Sequence, residues 1–212
     1  MPAFPRIELA EHLPTVLPEG VVAQLILRIP ERDRGPYLVA SLMGLRPGEI
    51  RALDVADVLK DGPYWRLKVS KAVQGSLSSS PIGPTKNRRV RLLPIHPTAR
   101  EWLEAHTDWS GRLTRQPLFT NRMGRRLSHD QFWKGWKKVR QGVTSASLYE
   151  GTKHSFASAA LESGIQMERI QKFLGHSDPR STERYAKLSD HSLEVLVDRP
   201  RSKASSPPDT SD

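Results

Sequence analysis

Lys153 sits in the stretch LYEGTKHSFAS, residues 148–158, ahead of the segment LGHSDPRSTERY, residues 174–185. Together the two supply an ammonium, imidazoles, guanidinium groups and a tyrosine hydroxyl. Cations of this kind hold phosphate oxygens, and a hydroxyl is a nucleophile toward phosphorus. In a basic chain that combination suggests cutting of a DNA strand. Lys153 is the cation nearest the middle of the first stretch, and Glu150 stands three residues before it.

The balance of charge fits a polyanionic partner. The 212 residues hold 33 Lys and Arg against 23 Asp and Glu, a formal charge of +10. Residues 1–62 carry −2 and the remainder +12, and residues 112–140 hold nine basic residues and one acid, Asp130. Asymmetry of this kind predicts a basic face and makes nucleic acid the first candidate partner. With no cysteine, disulfides, thiolate metal sites and cysteine nucleophiles are excluded. No apolar run is long enough for a membrane-spanning helix, and MPAFPRIELAEHLP lacks a signal-peptide pattern. A cytoplasmic, DNA-associated protein is the expectation.

The elements that must position these residues read as α+β, mainly helical, with a small antiparallel sheet of two to three strands. Residues 1–17 are broken by proline and read as an extended leader. Helices are predicted from Pro18, over 36–43 up to Gly44, over PGEIRALDVADV from Pro47, and over 97–106, 128–142 and 148–162. MERIQKFL up to Gly175, 179–187 and 190–197 are further helices. YWRLKVS (64–70) and NRRVRLLPI (87–95) read as strands, with GSLSSSPIGP a loop and Thr85-Lys86-Asn87 a turn between the later strands. Phe132, Trp136 and Val139 share one face of the 128–142 helix, with Lys134 and Lys137 away from it. Trp133 and Trp136 read as core residues in preference to platforms for DNA bases. Residues 199–212 have the composition of a disordered tail.

Familiar phosphate-binding, zinc and serine-hydrolase motifs are absent, and the seven histidines lack metal-ligand spacing. No metal and no cofactor is expected. Four segments converge instead: MGLRPGEIRALDVADV, PTKNRRVRLLP, TKHSFASAALESG and LGHSDPRSTERYAKLS. In this order and spacing they resemble the catalytic domain of the tyrosine recombinase (phage integrase) family over roughly residues 14–197. Arg46 matches the family's first catalytic arginine, Lys86 its β-hairpin lysine and Lys153 its second arginine. His176 matches the histidine of Leu-Gly-His, and Tyr185 the nucleophile. The resemblance implies attack of Tyr185 on a DNA phosphodiester, leaving a 3′-phosphotyrosyl bond and a free 5′-hydroxyl. Arginine forks would stabilise the pentacovalent phosphate, and the hairpin lysine would protonate the leaving oxygen.

Plainer roles are open for each residue. Arg46 could cap a helix C-terminus or pair with Glu49, and His176 could end a helix. Tyr185 could be a core residue. Lys86 could belong to a phosphate-contacting patch with Arg88, Arg89 and Arg91 on the same strand. Arg125, Arg126, Lys134 and Lys137 are the other candidate DNA contacts.

Two registers are open around Lys153. Downstream spacing puts Glu150 at the histidine position of H-x-x-R, where a carboxylate would repel phosphate. Ser147-Leu148-Tyr149-Glu150 is also a capping box, which turns Glu150 toward the Ser147 amide. That register puts Tyr149 at the histidine position, with one extra residue before Lys153.

The resemblance implies double-stranded DNA as partner and a homo-oligomer, a tetramer on DNA, docked through the helix at 190–197. The domain expected is 1–198, and the family's N-terminal DNA-binding domain is expected to be absent. Three functions are open: site-specific recombination through Tyr185, a decayed recombinase that binds DNA without cutting, and a type IB topoisomerase. The Leu-Gly-His and Ser-Thr-x-x-Tyr context favours the first.

Overall fold

The computed structural model describes residues 15–110 and 115–175. His176, Tyr185 and the predicted helices at 179–187 and 190–197 lie outside the described residues. Helices and a small sheet alternate as expected. Helix α1 (Glu19–Leu27) starts directly after Pro18, and α2 (Gly35–Met43) ends on Gly44. The short α3 (Pro47–Ala52) has Arg46 as its N-cap residue and Pro47 at its first position. It is shorter than its sequence pattern suggests. Leu53 turns extended, and a 3-10 turn at Val55–Asp57 follows.

Strands β1 (Val58–Asp61), β2 (Tyr64–Val69) and β5 (Arg91–Pro94) form an antiparallel sheet in the order β1-β2-β5. Leu67 lies opposite both Val58 and Leu93. Trp65, Leu67 and Val69 alternate inward, as a half-buried strand requires. A second pair, β3 (Lys71–Val73) with β4 (Ile82–Pro84), was not foreseen. Its β4 comes from the segment read as loop. The strand predicted over 87–95 is confined to Arg91–Pro94. The residues before it form a turn, with Arg88 N–H donating to the Thr85 carbonyl at 2.8 Å.

Helices α4 (Pro97–His106), α5 (His129–Arg140), α6 (Ser155–Glu162) and α7 (Met167–Leu174) complete the described fold. Leu25, Met43, Leu45, Ile50, Leu67, Leu103, Phe132 and Trp136 are among the fully buried residues of one core. Trp136 is in that core, its indole N–H donating to the Ala146 carbonyl at 3.1 Å. Trp133 is not. It is 36% exposed, one residue off the buried face of α5, with the Lys137 ammonium 5.8 Å from its ring centroid.

The predicted 148–162 helix holds a deviation. Residues Glu150–His154 form a π-helical turn before α6 begins. A π turn takes one more residue than an α turn and frees carbonyls from the usual ladder. Hydroxyl groups meet two of them: Thr152 Oγ1 donates to the Leu148 carbonyl at 2.6 Å and Ser155 Oγ to that of Glu150 at 2.9 Å. Gly151 allows this turn to lie on the core. A Cβ there would sit 2.4 Å from the Trp136 ring.

Candidate active site

Lys153 is carried by the π turn and is fully buried, 0% exposed. Its Nζ has no hydrogen-bond partner among the described residues. Burial drives the ammonium toward neutrality, the positive charge of Arg46 adds to this, Glu49 opposes it and Arg91 adds again. The group is held down to about 7.

Arg46 comes from the N-terminus of α3. Its backbone N–H donates to Glu49 Oε2 at 2.9 Å, and its Nη1 pairs with Glu49 Oε1 at 3.3 Å. The pairing with Glu49 weighed for Arg46 is present, but Arg46 stands at the N-terminus of α3 and its own amide is capped by Glu49, so it does not cap a helix C-terminus. Its side chain nonetheless stays 24% exposed, whereas that of Glu49 is 3% exposed. The same Oε1 accepts Arg91 Nη2 at 2.7 Å. One carboxylate thus serves two guanidinium groups beside a third cation that has no hydrogen-bond partner among the described residues. The excess of positive charge makes this a place where an anion gains, and a phosphate would bring the acceptors Lys153 lacks.

The π turn decides which neighbour faces Lys153. The Glu150 carboxylate accepts the Ser147 N–H at 2.8 Å, and the Glu150 N–H donates to Ser147 Oγ at 3.2 Å, the reciprocal bonds of a capping box. It also accepts the Thr15 N–H at 3.4 Å. Burial pushes this carboxyl up, but the Ser147 and Thr15 bonds and His154 outweigh it and hold the group below its ordinary value. Glu150 therefore faces away. Tyr149 takes the other side: its ring centroid is 6.0 Å from Lys153 Nζ, and it packs edge-on against His154 at 4.7 Å. Burial raises its hydroxyl, while the adjacent Arg46 pulls it down. The π turn takes one residue more than an α turn would. Glu150→Ala is expected to cost roughly 1 kcal/mol of stability, the usual value of a lost cap. It should leave DNA cleavage per folded molecule unchanged, as thermal melting beside a cleavage assay will tell.

Lys86 lies exposed in the turn between β4 and β5. The turn is not free, because Asn87 Nδ2 donates to the Gly175 carbonyl at 2.6 Å. That bond places the turn beside the end of α7, next in sequence to His176. Arg88 and Arg89 are exposed on the same turn, Arg88 at φ 52. Arg125 is exposed in a tight turn whose amide bonds to the Asn121 side chain at 3.1 Å. Lys134 and Lys137 project from the exposed face of α5.

Arg126, expected among the DNA contacts, is turned inward. Its Nη1 donates to the carbonyls of Arg51 and Leu53 at 2.9 and 3.0 Å, and its Nη2 pairs with Asp54. A guanidinium with these three acceptors ties the loop to the end of α3. Arg91, grouped by sequence with Arg88 and Arg89 as a possible phosphate-contacting patch, instead points inward and bonds to Glu49 and the Phe173 carbonyl. Its inward position on β5 was the available signal, since a charge alternating into a core needs a partner. Among the described residues no group of three or more His, Asp or Glu could hold a metal ion, and no helix is long and apolar enough to cross a membrane.

The phage integrase family profile matches residues 16–192, and the chain belongs to that family. Among known proteins it is similar to the tyrosine recombinase XerC of Roseiflexus castenholzii, 31% identical over 186 residues, covering 83% of this chain and 54% of that protein. The tyrosine recombinase XerD of Lacticaseibacillus casei is 29% identical over 202 residues, covering 87% of this chain and 62% of that protein. The chain thus spans little more than half the length of these relatives. The XerA recombinase crystal structure shares the fold with a TM-score of 0.65 at 20% identity, over 94% of this chain and 68% of that one. The catalytic domain of bacteriophage HP1 integrase matches over 91% of this chain and 99% of its own length, with a TM-score of 0.55 at 20% identity. The mainly helical α+β architecture is that of tyrosine recombinase catalytic domains.

Proposed function

We propose that this chain carries out site-specific DNA recombination, cutting and rejoining strands through a 3′-phosphotyrosyl intermediate on Tyr185. The observation that carries this is the fully buried Lys153 ammonium, without a hydrogen-bond partner among the described residues, beside Arg46 and Arg91. A buried cation without an acceptor is costly, and the cost is recovered when a phosphate enters. Arg46 and Lys153 then hold the nonbridging oxygens, with His176 beside them. Tyr149, at the position of the family's histidine, adds a hydroxyl at the same phosphate. Lys86 protonates the 5′-oxygen as it leaves. The covalent link stores the energy of the broken bond, so rejoining runs back through the same groups. Arg88, Arg89, Arg125, Lys134 and Lys137 bind the DNA backbone.

The protein acts in the cytoplasm as a tetramer on DNA, with the amphipathic segment DHSLEVLV (190–197) docking on a neighbouring copy. A second reading, a binding protein that has lost cleavage, has one observation in its favour. A lysine depressed to about 7 is only partly charged at neutral pH and lacks the arginine fork.

A suicide substrate, nicked so that the cut strand cannot be rejoined, separates the two. Recombination predicts a covalent protein–DNA adduct that disappears in Tyr185→Phe. If the wild-type chain binds several recombinase target sites but traps no adduct on any, the binding reading holds. Binding should weaken steeply with salt, the logarithmic slope being about −0.9 per phosphate contacted. Titration at several salt concentrations checks this.

A further inference from the structure

Arg91 has no part in the chemistry above, yet it joins more of the site than any residue that does. It opens β5, the strand that leaves the Lys86 turn. Its Nη2 donates to Glu49 Oε1 at 2.7 Å, and so reaches the acid that pairs with Arg46. Its Nη1 donates to the Phe173 carbonyl at 2.9 Å, in the last turn of α7. Both partners of the ion pair are nearly excluded from water, with side chains 8% and 3% exposed. Gly175, at φ 66, lies directly against this guanidinium, and a Cβ there would be 2.9 Å from Arg91 Nε. Asn87 ties the far side of the same junction through the Gly175 carbonyl. Three elements that would carry Arg46, Lys86 and His176 therefore meet at one side chain.

We propose that Arg91 is a positioning residue of this site. Its fork fixes α3, the Lys86 turn and the end of α7 to one another, and so sets where Arg46 and Glu49 stand. This rests on the recombinase reading for its effect on cleavage, but its effect on Lys153 does not. The other groups facing Lys153 are Arg46 and Glu49 of α3 and the ring of Tyr149, just before its own turn. Removing Arg91 withdraws one of two positive neighbours and leaves Glu49 underpaired. Both changes make Lys153 hold its proton more firmly.

The test uses the full chain with Arg91→Gln and Arg91→Lys, each checked for folding by thermal melting. Lysine-selective carbon NMR reads the protonation midpoint of Lys153, assigned through Lys153→Met. Single-turnover cleavage of a suicide substrate reads the rate across pH. In Arg91→Gln the midpoint should move upward and the alkaline limb of cleavage should follow it. Cleavage at neutral pH should fall about 10- to 100-fold, the scale of an ångström-sized displacement in a reacting site. Arg91→Lys should restore the midpoint, which needs only charge, and not the rate, which needs the fork. An unmoved midpoint in folded Arg91→Gln overturns the proposal. If that variant does not fold, wild-type cleavage by Arg91→Lys overturns it. A wild-type chain that makes no adduct sinks the recombinase reading instead, and leaves the midpoint measurement to judge Arg91.

Discussion

Lys153→Met is expected to melt at a higher temperature than the natural protein at pH 7, and to form no covalent adduct with DNA. The two effects have one cause. The ammonium has an ordinary value of 10.5 and is held at about 7 in the fold. A group depressed in this sense binds its proton more weakly folded than unfolded, so it opposes folding wherever the unfolded chain is protonated. The penalty is full below pH 7, shrinks as pH rises from 7, and is gone above 10.5. At about 1.36 kcal/mol for each unit, it reaches as much as about 4 kcal/mol at pH 7. Methionine fills nearly the same volume without the charge. A gain of about 2–4 kcal/mol raises the melting temperature by roughly 5–15 °C in a domain of this size. Calorimetry of both proteins from pH 6 to 10 should show the difference closing as the solution becomes alkaline. Equal stability at every pH would mean the ammonium already has an acceptor, and the site would lose its main argument. The activity side of the prediction is total loss, because methionine cannot donate to phosphate.

That opposition of stability and function separates what the sequence shows from what it hides. The start of α3 was legible because Pro47 acts locally, within one turn, whereas the cap that Glu49 makes on the Arg46 amide was not. The Ser147–Glu150 capping box was legible for the same reason, and it correctly turned Glu150 away from the site. The π turn was not, because a periodic pattern of apolar residues hardly changes when one residue is added to a helix. Which of Tyr149 and Glu150 faces Lys153 therefore had to come from the backbone. Strand β4 was hidden by Gly83 and by the serines before Pro81, whose composition says loop while the pairing with Lys71–Val73 says strand. Arg126 could not be told from Arg125 by type or position in the sequence. Only the carbonyls of Arg51 and Leu53 and the carboxylate of Asp54 distinguish an internal guanidinium from an exposed one. Lys153 itself was seen as a substitution, but its burial was not. The lost fork was the visible part, and the depressed proton affinity follows from depth and from two arginines that lie far away in sequence.

Lys153→Arg should behave as the mirror image of the methionine variant, less stable and faster. A guanidinium cannot escape burial by giving up its proton, so a third fixed cation would stand beside Arg46 and Arg91 with only Glu49 to offset it. The free protein should therefore melt below the natural one. Once phosphate is bound the balance reverses. The fork adds a second bond to the transition state, and a donor of that kind is worth about 10²–10³ in rate. Single-turnover cleavage of a suicide substrate at pH 7 should rise by about that factor. The pH profile supplies an independent check. The natural protein should lose activity in the free enzyme as pH rises through about 7, where Lys153 gives up its proton. The arginine variant should stay active into the alkaline range. If its rate is unchanged while DNA still binds, Lys153 is not where the missing activity lies, and the binding-only reading gains. If rate and pH profile both move as argued, this enzyme gives up part of its speed by keeping a lysine at that position, and gains a site whose charge depends on pH and on bound phosphate.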